Sequence, residues 1–340
     1  MVNHGLVLDL IDALAATPAG STVTLDVTAG AGGDANQIAA NVDLIAAWCS
    51  GSGNELVAIH PDVVVVRHGR GRDVLAGLDA GLIPGTRLWM YVNFDCNLHC
   101  DYCCVSSSPQ TERKALGADR VDRLAAEAVE AGVQELILTG GEPFLLPDVD
   151  QLVASCTDRL PTTLLTNGML FRGARLERLR SMDRDRLTLQ ISLDSATAEV
   201  HDAHRGPRAW QRAVDGIRLA LDEGFAVKVA ATLPPEQAHE VEPFKQFLAE
   251  LGIVPENRVI RAVAHQGVAE DGLELTVETL VPEVTITADG VWWHPVSATD
   301  EAHLVRREIF PLADAIQDVR TRFVRYRQDI DAAADWFPCS

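Results

Sequence analysis

From Arg87 to about residue 265, short apolar runs alternate with amphipathic ones, and this alternation constrains the fold more than any other feature of the chain. Strands are predicted near 88–94, 134–139, 162–166, 187–193, 225–232 and 258–263, with helices near 116–131, 148–156, 173–181, 209–223 and 237–251. A strand followed by a helix-length crossover and another strand builds a parallel sheet. Six such steps predict an α/β fold, a partial (βα)6 TIM-type barrel that stops short of eight strands. In such barrels the reactive groups gather at the C-terminal ends of the strands, so the loops after each strand are the places to search for chemistry.

The rest of the chain frames this barrel. Residues 1–75 read as a small α/β domain. In it a helix at 6–14 is followed by a strand at 22–27, a glycine-rich loop at 29–34, a helix at 43–50 and a strand pair at 55–59 and 63–67. Residues 76–86 form a linker, 87–265 the barrel, and 266–340 an extension with a hairpin around Asp289-Gly290 and a helical tail from 309 to 337. The chain carries 29 Lys and Arg against 49 Asp and Glu, a net charge of −20, which argues against phosphate-rich partners such as nucleic acid or anionic membrane. The first residues lack a basic segment followed by an apolar one, and no run approaches the 18 apolar residues of a membrane span, so a cytoplasmic protein is expected.

Four of the seven cysteines fall within nine residues, as metal ligands do and disulfide frameworks do not. Cys96-Asn-Leu-His-Cys100-Asp-Tyr-Cys103 lies just after the first barrel strand. Three thiolates can hold three irons of a cubane and leave the fourth open. The same triplet with Cys104 or His99 as a fourth ligand would instead suit zinc. After the second strand come Gly140-Gly141-Glu142-Pro143, whose glycines allow a close backbone approach and whose carboxylate can pair with an ammonium group. The third strand ends in Thr166-Asn167-Gly168, and the fourth carries Ser192-Leu193-Asp194, whose alternation sets Ser192 and Asp194 on one face. His201-Asp-Ala-His-Arg205-Gly206 follows.

In combination these motifs resemble the radical S-adenosylmethionine (SAM) superfamily over roughly residues 87–265, and specifically its molybdopterin-cofactor and peptide-modifying branch. The resemblance implies that Cys96, Cys100 and Cys103 hold a [4Fe–4S] cluster. It implies SAM contacts from Gly140, Gly141, Glu142, Pro143, Thr166, Asn167, Ser192 and Asp194, with Tyr102 packed over the cluster or adenine and Arg205 facing SAM's carboxylate or a substrate anion. The fifth strand departs from the family, carrying Val229-Ala-Ala-Thr232 where relatives often have asparagine. The implied activity is reductive cleavage of SAM to a 5′-deoxyadenosyl radical, which takes a hydrogen atom from a small-molecule or peptide substrate. The electron would come from a low-potential donor of the flavodoxin or ferredoxin type.

Alternatives remain open at this level: a radical dehydrogenase or epimerase on a sugar-like or amino-acid-like substrate, an iron–sulfur carrier or sensor that binds no SAM, and a zinc protein. An epimerase would need a hydrogen donor, for which Cys339 and Cys156 are candidates, set against a frayed terminus and a packed helix thiol respectively. The extension offers Trp292-Trp293-His294-Pro295 where relatives often place cysteines, so no auxiliary cluster is expected. The first 75 residues weakly resemble TusA/SirA-like sulfur-carrier domains, but the place of their reactive cysteine falls near Asn3 or His4 and Cys49 has no basic neighbour. A docking or recognition module is expected there.

Overall fold

The computed structural model describes residues 5–18, 20–30, 34–52, 54–69, 75 and 78–336. The chain divides into two compact units, Met1–Asp79 with Thr321–Ser340, and Ala80–Arg320.

The smaller unit carries α1 (Gly5–Ala15), β1 (Thr22–Asp26), α2 (Ala35–Gly51), β2 (Glu55–Ile59) and β3 (Val63–Arg67), with the strands antiparallel in the order β1-β3-β2. Leu6, Leu10 and Leu14 recur every four residues, share one face of α1 and are buried with Ile45, Cys49, Leu25, Val64 and Val66. Helix α2 starts eight residues before the expected 43. Asp34 caps it by accepting from the Asn36 N–H at 2.9 Å. Asn41 on the buried face donates to the Val27 carbonyl at 2.8 Å, so a polar residue interrupts the apolar period that sequence reading relies on. Burial pushes the Cys49 thiol up to about 11, the opposite of activation. Asn3 and His4 lie outside the described residues.

The larger unit is the barrel. Its elements are β4 (Arg87–Tyr91), α3 (Ala118–Glu130), β5 (Glu135–Thr139), α4 (Val149–Thr157), β6 (Thr162–Thr166), α5 (Ala174–Ser181), β7 (Leu187–Ser192), α6 (Ala198–Arg205), α7 (Ala209–Asp222), β8 (Ala226–Leu233), α8 (Val241–Glu250) and β9 (Arg258–Ala262). Strands β4 to β9 pair in sequence order and all in parallel. Parallel strands are covered on both faces, which is why Leu136, Ile137 and Leu138 are apolar and buried without alternation. The partial (βα)6 barrel is therefore present as the alternation predicts.

Sequence reading did not foresee how the extension joins it. β10 (Thr285–Thr287) adds to the free edge of β4 in parallel, with Thr285 opposite Trp89 and Ile286 opposite Met90. β11 (Gly290–Trp292) and β12 (Leu304–Arg306) continue antiparallel to make nine strands, and α9 (Leu312–Trp336) begins in this unit. Glu283 fixes the junction, accepting from Arg87 Nη2 at 2.8 Å and from Trp89 Nε1. Trp292 is buried with Tyr91, Phe94 and Val105 beneath the cysteine loop, and its indole N–H donates to Thr287 Oγ1 at 2.8 Å. Among the described residues no helix is long and apolar enough to cross a membrane.

Candidate active site

A cavity of about 490 Å³ opens at the C-terminal ends of the barrel strands. Cys96, Cys100 and Cys103 line one wall, and Gly140, Gly141, Thr166, Asn167, Ser192, Tyr102 and Arg205 also line it, so residues spread over 110 positions of sequence meet in one space. Glu142, Pro143 and Asp194 do not line it.

The cysteine loop leaves β4 and is tied down by backbone contacts. Cys96 N donates to Ser108 O at 3.2 Å and Cys103 N to Cys100 O at 3.3 Å. Two backbone N–H groups point at sulfur, Leu98 N to Cys96 Sγ at 3.4 Å and Ser107 N to Cys103 Sγ at 3.2 Å. Burial pushes the Cys96 thiol up to about 12 and the Cys100 thiol up to about 11. From the extension, Val268 N donates to Cys103 O at 3.1 Å, and Gly267 (φ +66°) lies so close that a Cβ there would sit 2.2 Å from the Cys103 carbonyl oxygen.

The two glycines after β5 have a second task that the sequence does not announce. They admit neighbouring backbone as well as facing the cavity. A Cβ on Gly140 would lie 2.2 Å from Asn93 Oδ1, and one on Gly141 would lie 2.3 Å from Asp95 O and 2.6 Å from Phe94 O. Gly141 N and Glu142 N donate to Asn93 O (3.1 Å) and Asp95 O (3.0 Å), stitching this loop to the start of the cysteine loop. Gly141→Ala has rigid backbone on its crowded side, so a loss of about 1–3 kcal/mol is expected by urea denaturation. The displaced Phe94–Cys96 stretch should also lower iron retention after reconstitution.

Glu142 is a clamp inside the fold, not an exposed acceptor for an ammonium group. Its side chain is fully buried and accepts from Phe144 N (3.0 Å), Thr166 Oγ1 (2.8 Å) and Asn167 N (2.8 Å), which locks the ends of β5 and β6 together. Burial raises its pKa, and these hydrogen bonds oppose the rise. Pro143 starts the short helical turn that Glu142 caps. Asn167 reaches back to the cysteine loop through Nδ2 to Asn97 Oδ1 at 2.9 Å.

Asp194 likewise acts from behind the wall. It accepts from Arg205 Nε (2.5 Å) and Nη2 (3.1 Å), from Thr232 N (3.1 Å) and from the Tyr102 hydroxyl. Burial opposes its charge, but the Arg205 guanidinium outweighs that and holds the carboxyl below its usual range. Arg205 is thereby committed to an internal partner, and the anion contact expected of it is made within the protein. Tyr102 sits between Cys100 and Cys103 in sequence, so this cluster of polar groups anchors the cysteine loop to β7 and α6. The Asp194 N–H donates to His201 Nδ1 at 3.1 Å, which makes the ring an acceptor there and therefore neutral. Its 3.6 Å approach to the Asp194 carboxylate is accordingly not an ion pair.

Burial depresses His201 from 6.5 to about 4. An unfolded chain takes a proton at this ring below about pH 6.5 while the folded one does not. The His201 contribution is therefore complete above that pH and is lost as pH falls towards 4, at up to about 1.4 kcal/mol per pH unit. Urea midpoints are expected to fall less steeply over this window in His201→Gln than in the native chain.

The remaining cysteines separate clearly. Cys104 lines the cavity beside Tyr91, and burial pushes its thiol up to about 12. Cys156 is fully buried on α4 and does not line the cavity, so as a hydrogen donor it has no path to a substrate there. Cys339 lies outside the described residues. Sequence reading gave no site role to Tyr91, Arg261, Leu273, Leu275 or Leu280, and named His294 only in the run where relatives place cysteines; all six line the cavity.

Residues 90–248 match the family model described as the Radical SAM superfamily. That stretch, a little under half of the chain and most of the barrel, is a radical SAM domain match. Curated radical SAM relatives include the AdoMet-dependent heme synthase of Methanosarcina barkeri, 34% identical over 161 residues, 47% of this chain and 46% of that protein. The antilisterial bacteriocin subtilosin biosynthesis protein AlbA of Bacillus subtilis is 32% identical over 162 residues, 46% of this chain and 35% of the relative. The mycofactocin maturase MftC of Mycobacterium tuberculosis is 31% identical over 178 residues, 52% and 44% respectively. The chain thus spans less than half the length of these relatives. Among solved structures, anSMEcpe with bound AdoMet shares the fold at a TM-score of 0.54 and 12% identity, over 70% of this chain and 82% of that one.

The cofactors of the radical SAM superfamily are a [4Fe–4S] cluster and SAM, and the donor set here fits the cluster. Two thiols held protonated by burial need a cationic metal to become thiolates, and backbone N–H groups aimed at sulfur are the contacts that stabilise such thiolates. Among the described residues no three His, Cys, Asp or Glu side chains are gathered tightly enough for a single ion. A cubane spaces its thiolates more widely, one to each of three irons.

Proposed function

We propose that this chain cleaves SAM reductively and uses the resulting radical to take a hydrogen atom from a small-molecule or peptide substrate. The observation that carries the reading is the meeting of Cys96, Cys100 and Cys103 with Gly140, Gly141, Thr166, Asn167 and Ser192 around one cavity. When bound, the reduced cluster supplies the electron that splits SAM's sulfonium into methionine and a 5′-deoxyadenosyl radical.

The chain's own residues do the rest. The thiolates of Cys96, Cys100 and Cys103 would hold the cluster, with SAM bound beside it in the same cavity. The carbonyl oxygens of Gly140 and Gly141, residues that line the cavity, would accept from the ammonium. Ser192, Thr166 and Asn167 offer polar groups to the nucleoside. Glu142 and Asp194, which do not line the cavity, position these walls from behind, and Arg205, which does line it, is held in place by Asp194. The cavity walls would hold the radical against the substrate and away from weaker-bonded hydrogen donors of the protein. The reductant is a low-potential flavodoxin- or ferredoxin-type protein, and the smaller unit is a docking module.

The test is anaerobic reconstitution with iron and sulfide, reduction with dithionite in the presence of SAM, and measurement of 5′-deoxyadenosine. Formation of that product is expected; a brown, reducible protein that makes none would overturn the reading in favour of an electron carrier.

A further inference from the structure

Two arginines line the cavity, and their situations differ. Arg205 is occupied by Asp194 on both Nε and Nη2. Arg261, at the end of β9, is exposed on the cavity wall and among the described residues has no carboxylate partner. Its charge is felt by His294, which lines the same wall. Val296 N donates to His294 Nδ1 at 3.2 Å, which leaves the ring proton on Nε2. Glu283, also on this wall, is already neutralised by Arg87 and the Trp89 indole N–H.

Beside these groups the wall is apolar. Leu273, Leu275, Leu280 and Val296 line it, and Leu273 is 55% exposed although it sits at a fixed place. His265 N donates to Leu273 O at 2.9 Å and Leu273 N donates to Val263 O at 2.9 Å, so the lip carrying it is pinned to the end of β9. An exposed leucine on a pinned lip, next to an uncompensated guanidinium, suits a ligand with an acidic end and an apolar body.

We propose that Arg261 and His294 form an anion subsite that binds the carboxylate of the substrate, with Leu273, Leu275 and Leu280 against its apolar body. This rests on the reading of the cavity as the place where the substrate meets SAM. A single guanidinium matches one negative charge, and its planar fork matches the two oxygens of a carboxylate. The neutral His294 adds a directional donor without adding charge.

The test uses the cluster-loaded protein under saturating SAM, with octanoate and 1-octanol as probes in anaerobic titration calorimetry. Native protein is expected to bind octanoate about tenfold or more tightly than the alcohol of equal length. Arg261→Gln should remove that preference while leaving the alcohol unchanged, and Arg261→Lys should restore part of it. Equal binding of the two probes by native protein, or undiminished octanoate binding by Arg261→Gln, would overturn the subsite. Loss of the preference when SAM saturates would also overturn it, because SAM's own carboxylate would then be the occupant. The readout is binding alone, so a failure here leaves the SAM-cleavage reading to its own assay.

Discussion

Replacing Cys96, Cys100 and Cys103 together by alanine is expected to abolish both the brown colour of the reconstituted protein and 5′-deoxyadenosine formation. Each thiolate is assigned one iron. Cys104 also lines the cavity, beside Tyr91 and Cys103, but it is one thiol where three are lost. The fold should survive, since the loop is also held by Ser108, Asn93 and Val268, and far-ultraviolet circular dichroism is expected to be unchanged. Product formed by a folded triple variant would move the cluster elsewhere and sink the site as assigned.

The second large effect is expected at a residue that does not line the cavity. The Asp194 side chain is 1% exposed and that of Arg205 11%. Asp194→Asn keeps the shape and removes the charge, which strands a buried guanidinium without its counter-charge. A loss of about 3–5 kcal/mol is expected from urea unfolding, a large part of the roughly 5–15 kcal/mol that holds a typical domain. Arg205→Gln in the same chain should recover some of that loss, because no uncompensated charge then remains. The Tyr102 hydroxyl also loses its acceptor, so the single variant should release iron faster than the native protein. A loss below about 1 kcal/mol would show that water reaches the pair and that it does not anchor the loop.

What could be read in advance follows from how local each signal is. The six parallel strands were legible because buried sheet strands are continuously apolar and their helices are not, both properties of short windows. Helix α6 was passed over, since Ala198–Arg205 buries only His201 and so has no apolar period to detect. The pairing of β10 with β4 joins residues 196 positions apart, and nothing near Thr285 announces it. The same holds within the site. Cys96, Cys100 and Cys103 declare themselves by spacing, and Gly140 and Gly141 by company. That the glycines serve the backbone of Asn93 to Asp95, that Glu142 faces inward, and that Arg205 belongs to Asp194 are facts about distant neighbours. Arg261 and His294 stand alone in sequence, and only the closing of the barrel brings them to one wall.

The strand that leads into the cysteine loop has β5 on one side and β10 on the other, so its free edge is capped by a segment made almost two hundred residues later. Anyone exchanging parts between this chain and its relatives should treat 80–320 as one inheritable block. A splice after β9 would leave β4 a naked margin inviting foreign strands, and a donor tail would have to arrive in step with Trp89 and Met90 to close it.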